Sequence, residues 1–226
     1  MIPKIIHYCW FGRKDKPKEV EENIANWKKM NPDFVIKEWN EDNFDFRALA
    51  FTKEAYAVGK YAFVSDVARL YALYTEGGLY LDTDVRELKP FEPYLDNHSF
   101  VGKESLFLVS TAVLGAEKGT AWVKGFMDKY KNRHFIMKNG KFDSQVNTLS
   151  LSFYFNVNYT LWSEGYLTIY DADVFSAKLY ADKQYIISER TVTVHEFSSS
   201  WMSKPLTLFQ RMYNLIIRVK LALWKR

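Results

Sequence analysis

Apolar positions along the chain change period several times, and each change marks an element. Ile2, Ile5, Ile6, Tyr8 and Trp10 predict an opening strand that stops at Gly12 and a charged loop. Val20, Ile24 and Trp27 recur at helical spacing between Pro17 and Met30, and Asn31-Pro32 ends that helix. Phe34 to Trp39 then reads as a second strand. A strand, a crossover helix and a strand are the opening of a parallel α/β layer. Phe63, Val67, Leu70, Tyr71 and Tyr74 predict a longer helix ending near Glu76, because Gly77-Gly78 adopts a left-handed cap most cheaply. Leu79-Tyr80-Leu81 is expected to be a buried strand running into Asp82-Thr83-Asp84. Beyond Pro90 and Pro93, Phe100-Val101 and Leu106 to Leu114 read as strands, Ala121 to Tyr130 as a helix, and Lys131 to Lys141 as a basic loop. The runs Tyr166 to Tyr170, Tyr185 to Ile187 and Thr191 to Val194 predict short strands that deliver His195.

The candidate chemistry gathers between residues 61 and 86. Asp66 and Arg69 lie three apart on a helix face that is otherwise small or apolar. That pair either points into a cleft or forms a solvated ion pair. Alternation along an extended segment places Asp82 and Asp84 on one side, just past a strand's carboxyl end, where open α/β sheets bind ligands. Two adjacent carboxylates repel unless a cation lies near them, and Mg²⁺ and Mn²⁺ prefer oxygen ligands. An isolated Asp-x-Asp is also a common turn former, so the surrounding residues have to decide.

Those residues are Ser65-Asp66-x-x-Arg69 followed by Gly77-Gly78-Leu79-Tyr80-Leu81-Asp82-Thr83-Asp84. Together with Ile2-Pro3-Lys4-Ile5-Ile6-His7-Tyr8-Cys9-Trp10-Phe11-Gly12 and the late His195 and Ser200-Trp201, they resemble the sugar-binding-region family of glycosyltransferases that carry a DXD motif. That family includes bacterial capsular-polysaccharide glycosyltransferases and fungal mannosyltransferases, and is more distantly similar to the glucosylating clostridial toxins. The resemblance runs from Ile2 to about Trp201 and is thin from 120 to 190.

The resemblance implies a GT-A fold, a Rossmann-like α/β domain with a central mixed sheet flanked by helices. It implies a metal-dependent retaining hexosyltransferase, using a nucleotide sugar and a saccharide or lipid-linked saccharide acceptor in capsular, exopolysaccharide or lipopolysaccharide synthesis. UDP-hexoses lead the donors, ahead of GDP-mannose. Asp82, Asp84 and His195 would hold Mn²⁺ or Mg²⁺, while Asp66 and Arg69 would position the donor sugar. Trp10 would lie against the nucleotide base, a core tryptophan being the other reading, and Ser200 and Trp201 would close over the phosphates. Asp143, Gln145 and Asn147 match the family's acceptor and sugar contacts only loosely. His7 reads as a structural histidine.

Composition changes the picture in three places. With 226 residues and 48% hydrophobic content the chain supports one sizeable domain, expected at 1–203, rather than disorder. Cys9 is the lone cysteine, so no intrachain disulfide forms, and no signal peptide or 18-residue apolar run is seen; a cytoplasmic protein is expected. The net charge of +4 resides in the tail, because residues 197–226 contain no acid and six Lys or Arg. Lys204, Arg211, Arg218 and Lys225 recur every seven residues opposite an apolar side. A basic amphipathic helix over 204–226 is expected, lying on an anionic membrane or packed on the domain. No basic patch interleaved with aromatics occurs elsewhere, which argues against nucleic acid. Two rival functions stand beside the transferase. A metal-dependent phosphoester hydrolase is disfavoured by the single acidic pair. A catalytically inactive nucleotide-sugar-binding module, docking a polysaccharide assembly at the membrane, is opposed by the intact site residues.

Overall fold

The computed structural model describes residues 1–105, 108–143, 145, 147–162, 166–178 and 184–198, with no side-chain description for 156–162. Ser200, Trp201 and the expected helix over 204–226 lie outside these residues.

The elements follow in the order β1 (Ile5–Cys9), α1 (Lys18–Met30), β2 (Val35–Trp39), α2 (Ala50–Ala57), α3 (Tyr61–Glu76), β3 (Gly78–Leu81) and β4 (Val85–Glu87). After them come β5 (Ser99–Lys103), β6 (Val109–Ala116), α4 (Ala121–Asp128), α5 (Asn147–Trp162), β7 (Thr168–Tyr170), α6 (Ala172–Phe175) and β8 (Thr193–His195). The central sheet has the order β2-β1-β3-β6-β5-β7, and β4 and β8 form a separate antiparallel pair. Strands β2, β1, β3, β5 and β7 point the same way and β6 alone runs against them. This is the mixed sheet flanked by helices that the motifs imply.

Two apolar layers hold the sheet. Phe51, Phe63, Leu70, Trp122 and Phe126 pack one face with α2, α3, α4 and α5. Trp27, Phe34, Phe91 and Phe175 fill the other with α1 and α6. His7 is fully buried between them; Trp39 Nε1 donates to its Nδ1 at 3.0 Å, leaving Nε2 to donate to the Gly77 carbonyl at 2.8 Å. It is a neutral, satisfied core residue, and burial lowers its pKa.

Helix α1 does more than cover the sheet. Its inner face presents Asn23, Asn26, Trp27 and, just past its end, Asn31. Asn23 Nδ2 donates to the Thr83 carbonyl (2.9 Å), Trp27 Nε1 to that of Val85 (2.9 Å) and Asn26 Nδ2 to that of Glu87 (2.8 Å). Backbone acceptors of β4 and of the turn before it are thus satisfied by side chains at helical spacing. The consequence is positional, since β4 follows directly on Asp82-Thr83-Asp84.

Three expectations change. Asp82-Thr83-Asp84 is a turn, closed by the Val85 N–H to the Asp82 carbonyl at 3.0 Å, and not an extended continuation of β3. Tyr185 to Ile187 makes one bridge, Lys178 to Tyr185, rather than a strand. Helices α2 and α5 occupy stretches where no helix was expected. In α5 the run Leu149-Ser150-Leu151-Ser152-Phe153 alternates with period two, yet Leu151, Tyr154 and Phe155 are buried while Leu149 and Phe153 are exposed. Packing on β6 overrides the strand-like pattern.

Candidate active site

Because five strands share a direction, their carboxyl ends form one edge, and the polar residues that follow them converge there. Asp66, Arg69, Asp82, Asp84 and His195 meet at this edge.

Arg69 is the hub. The Gly77 cap (φ +70°) ends α3 and turns the chain into β3, so that the Arg69 guanidinium reaches the residue after the strand. Arg69 is 5% exposed. Its Nη2 lies 3.0 Å from Asp66 Oδ1 and 3.3 Å from Asp82 Oδ1, its Nη1 donates to the Thr111 carbonyl (2.7 Å) and its Nε to that of Ser65 (3.2 Å). The guanidinium also stacks over the Tyr80 ring, 4.7 Å from its centroid, and the Tyr80 hydroxyl donates to Asp82 Oδ1 at 2.8 Å. Every guanidinium nitrogen therefore has a protein partner. Arg69 balances and orients two carboxylates that would otherwise repel each other.

Asp66 sits deeper than Asp82. Burial pushes its carboxyl up to about 6, with Asp82 adding to the rise and Arg69 opposing it. Asn147 lies beside it at the start of α5; its Oδ1 accepts from the Tyr130 hydroxyl at 2.9 Å. Arg133 approaches Asp66 electrostatically and is itself held by Asp143 at 2.7 Å while stacking on Phe51 and Tyr130. Asp143 accepts at 3.5 Å from the Gln145 N–H, which is exposed. The three loosely matching residues thus adjoin the Asp66 side of the site, Asn147 directly, Asp143 through Arg133, and Gln145 at the rim.

Asp84 and His195 form the other side. Strand β8 pairs with β4 so that His195 lies opposite Val85, which brings its Nε2 to 3.3 Å from Asp84 Oδ1. The second carboxylate oxygen of Asp84 accepts from both the N–H and the hydroxyl of Ser198, each at 2.9 Å. Burial works against charge on Asp84, but His195 and Ser198 outweigh it and hold the carboxyl well below the usual range. Burial likewise lowers the His195 pKa, yet Asp84, Asp82 and Glu104 raise it overall. His195 Nδ1 is buried without a hydrogen-bond partner among the described residues, and the ring packs on Phe197 at 4.0 Å.

One ligand atom each from Asp82, Asp84 and His195 lies within 4.8 Å of the others. A divalent ion with bonds of about 2.1 Å joins ligand atoms up to about 4.2 Å apart, so this set closes on an ion with a small adjustment. Two carboxylates and an imidazole suit Mn²⁺, and Mg²⁺ through the carboxylates.

Glu104 is the residue that sequence reasoning passes over. It follows β5 at the same edge, within electrostatic reach of His195 and Asp82 and hydrogen-bonded to Thr148. Burial pushes its carboxyl up to about 7, against His195 and Thr148. Its signal was an acid immediately past a strand's carboxyl end, as with Asp82. Trp10, after β1, is half-buried; its Nε1 donates to the Lys14 carbonyl at 2.7 Å, folding the loop back on the ring.

Comparison with known proteins agrees with the motif reading. Residues 17–101 match the family described as glycosyltransferase sugar-binding region containing DXD motif. The chain is similar to inositol phosphoceramide mannosyltransferase 3 of Schizosaccharomyces pombe (strain 972 / ATCC 24843), at 30% identity over 126 residues. That match takes in 52% of this chain but only 34% of the yeast protein, so the chain spans about a third of its relative. In fold it is similar to the UDP-bound glycosyltransferase domain from the YGT toxin, with a TM-score of 0.56 at 12% identity, over 88% of this chain and 82% of that one. The PaToxG glycosyltransferase gives a TM-score of 0.50 at 20% identity, over 72% of this chain and 74% of that one. The fold is that of GT-A glycosyltransferases.

Proposed function

We propose that this chain, which matches that glycosyltransferase region on that fold, transfers a hexose from a nucleotide sugar to a saccharide or lipid-linked saccharide. A UDP-hexose is the favoured donor, with configuration retained at the anomeric carbon and the product entering a surface polysaccharide. The observation that carries the reading is the convergence of Asp82, Asp84 and His195 within 4.8 Å at the strand edge, with Asp66 and Arg69 locked beside them.

Asp82, Asp84 and His195 would hold Mn²⁺ or Mg²⁺, which when bound supplies Lewis acidity toward the negative charge of a departing diphosphate. The remaining work belongs to the chain. Arg69 keeps Asp82 aimed and its charge balanced, so one carboxylate oxygen of Asp82 stays available toward donor or ion. Asp66 and Asn147 offer oxygen and amide groups to the hydroxyls of the donor sugar, which is positioning rather than bond breaking. Trp10 presents an indole near the carboxyl end of β1 against which the base would stack. Ser198 already donates to Asp84, and Ser200 and Trp201, two and three residues further on, would continue that segment over the phosphates. A single cysteine supports a cytoplasmic setting. The basic segment 204–226 would rest on the inner face of an anionic membrane, as a helix distinct from the transferase domain. No helix among the described residues is long and apolar enough to cross a membrane.

Asp84→Asn tests the reading. Mn²⁺-dependent hydrolysis of the preferred donor is expected to vanish while unfolding stays cooperative; unchanged Mn²⁺-dependent turnover in the variant refutes it.

A further inference from the structure

Twelve large hydrophobic residues are exposed among those described, and five of them, Ile136, Met137, Phe142, Leu149 and Phe153, fall within one short stretch of chain. Three belong to a small hairpin. Ile136 and Phe142 bridge across it, Met137 N–H donates to the Lys141 carbonyl at 2.8 Å, and Gly140 turns the tip at φ +76°. The hairpin is anchored rather than loose. Phe135 is buried against Phe51 and Phe63, Phe142 stacks on Phe135 at 5.2 Å, and Glu54 accepts from the Ile136 N–H at 2.9 Å. Its base reaches the candidate site through the Arg133–Asp143 ion pair.

Along the hairpin's own residues the charge has one sign, and the acids Glu54 and Asp143 meet it at its base. Residues 129–142 contain five Lys or Arg and no acid. Arg133 and Lys131 are paired, with Asp143 and Asp128, whereas Lys138 and Lys141 are exposed and form no ion pair among the described residues. A second copy of the same tip would bring these lysines together, and a neutral glycan has no use for their charge. A rigid apolar tip with free lysines beside it matches the boundary between the headgroups and acyl chains of an anionic bilayer.

We propose that the Ile136–Phe142 hairpin is a membrane-docking tip, seating on anionic phospholipid and setting the candidate site against the bilayer surface. This surface is distinct from the 204–226 segment and goes beyond the transferase reading, because it needs neither donor nor metal.

The test is co-sedimentation of the full-length chain with vesicles of phosphatidylcholine containing phosphatidylglycerol, and with phosphatidylcholine alone, in the absence of any nucleotide sugar. The wild type is expected to bind the mixed vesicles and not the neutral ones. Lys138→Gln with Lys141→Gln lowers partitioning about thirtyfold, on the scale of about fivefold for each basic residue near the lipid. Ile136→Ser with Met137→Ser lowers it as well, and neither pair changes the thermal midpoint by more than a few degrees. Unchanged sedimentation of both folded variants overturns the proposal and leaves the tail as the lipid contact. Absence of wild-type binding to the mixed vesicles overturns it too.

Discussion

Glu87 offers a sharp test of how the strand pair beneath the site is held. Its side chain is 3% exposed on β4, and both carboxylate oxygens accept from Asn31 Nδ2, at 2.7 and 2.9 Å. Burial pushes its carboxyl up from 4.5 to about 8, and the Asn31 bonds offset only part of this. The folded state therefore prefers the protonated acid. Its contribution is fully present below pH 4.5, is lost as pH rises toward 8, and is constant above that. At about 1.4 kcal/mol per tenfold change in proton affinity, charging Glu87 costs the fold roughly 5 kcal/mol as an upper bound. Glu87→Gln stays neutral and keeps an oxygen facing Asn31, so it should match the wild type near pH 4.5 and exceed it in stability at pH 8.5. A difference of 3–5 kcal/mol corresponds to roughly 6–20 °C in the thermal midpoint of a domain this size. The assay is urea unfolding of both proteins from pH 4.5 to 9, taking the difference between the curves so that Asp66, Glu104 and His195 cancel. Parallel pH dependences would show that Glu87 is charged and solvated in the fold, and the reasoning would fail.

Two further substitutions probe the site's supports. Arg69→Met leaves Asp66 and Asp82 facing each other without their cation and should cost about 3–5 kcal/mol in denaturant unfolding, as for a broken buried pair; a loss under about 1 kcal/mol would mean that the hub is dispensable. Asn23→Ala removes the bond to the Thr83 carbonyl within the acidic turn. It should cost only about 1 kcal/mol of stability yet weaken Mn²⁺-dependent donor stabilisation roughly tenfold in metal concentration. An unchanged metal titration would show that α1 does not position the turn.

The sequence was most legible where a local signal and a tertiary need coincide. Gly77-Gly78 marks both the end of α3 and the entry to β3, and the small, apolar face carrying Asp66 and Arg69 is buried as its composition suggests. The acidic pair was found for an incomplete reason. It reaches one site because a turn follows β3, held from the far side by Asn23, and this depends on a helix sixty residues earlier in the chain. Glu104 carried one signal, its place just past a strand, but a lone acid between Lys103 and Ser105 has no partner in sequence; its partners arrive from the turn after β3, from β8 and from α5. Helix α5 was hidden by alternating Leu and Ser, since its burial is decided by β6 rather than by its own periodicity.

The most direct test of the central claim is thermal unfolding of the full-length chain across UDP- and GDP-sugars, with Mn²⁺ or with chelator, beside Asp84→Asn. The account predicts that one nucleotide sugar, foremost a UDP-hexose, raises the midpoint only with Mn²⁺ and only in the wild type. Donor stabilisation that survives both chelator and Asp84→Asn would contradict a metal-bound donor at Asp82, Asp84 and His195.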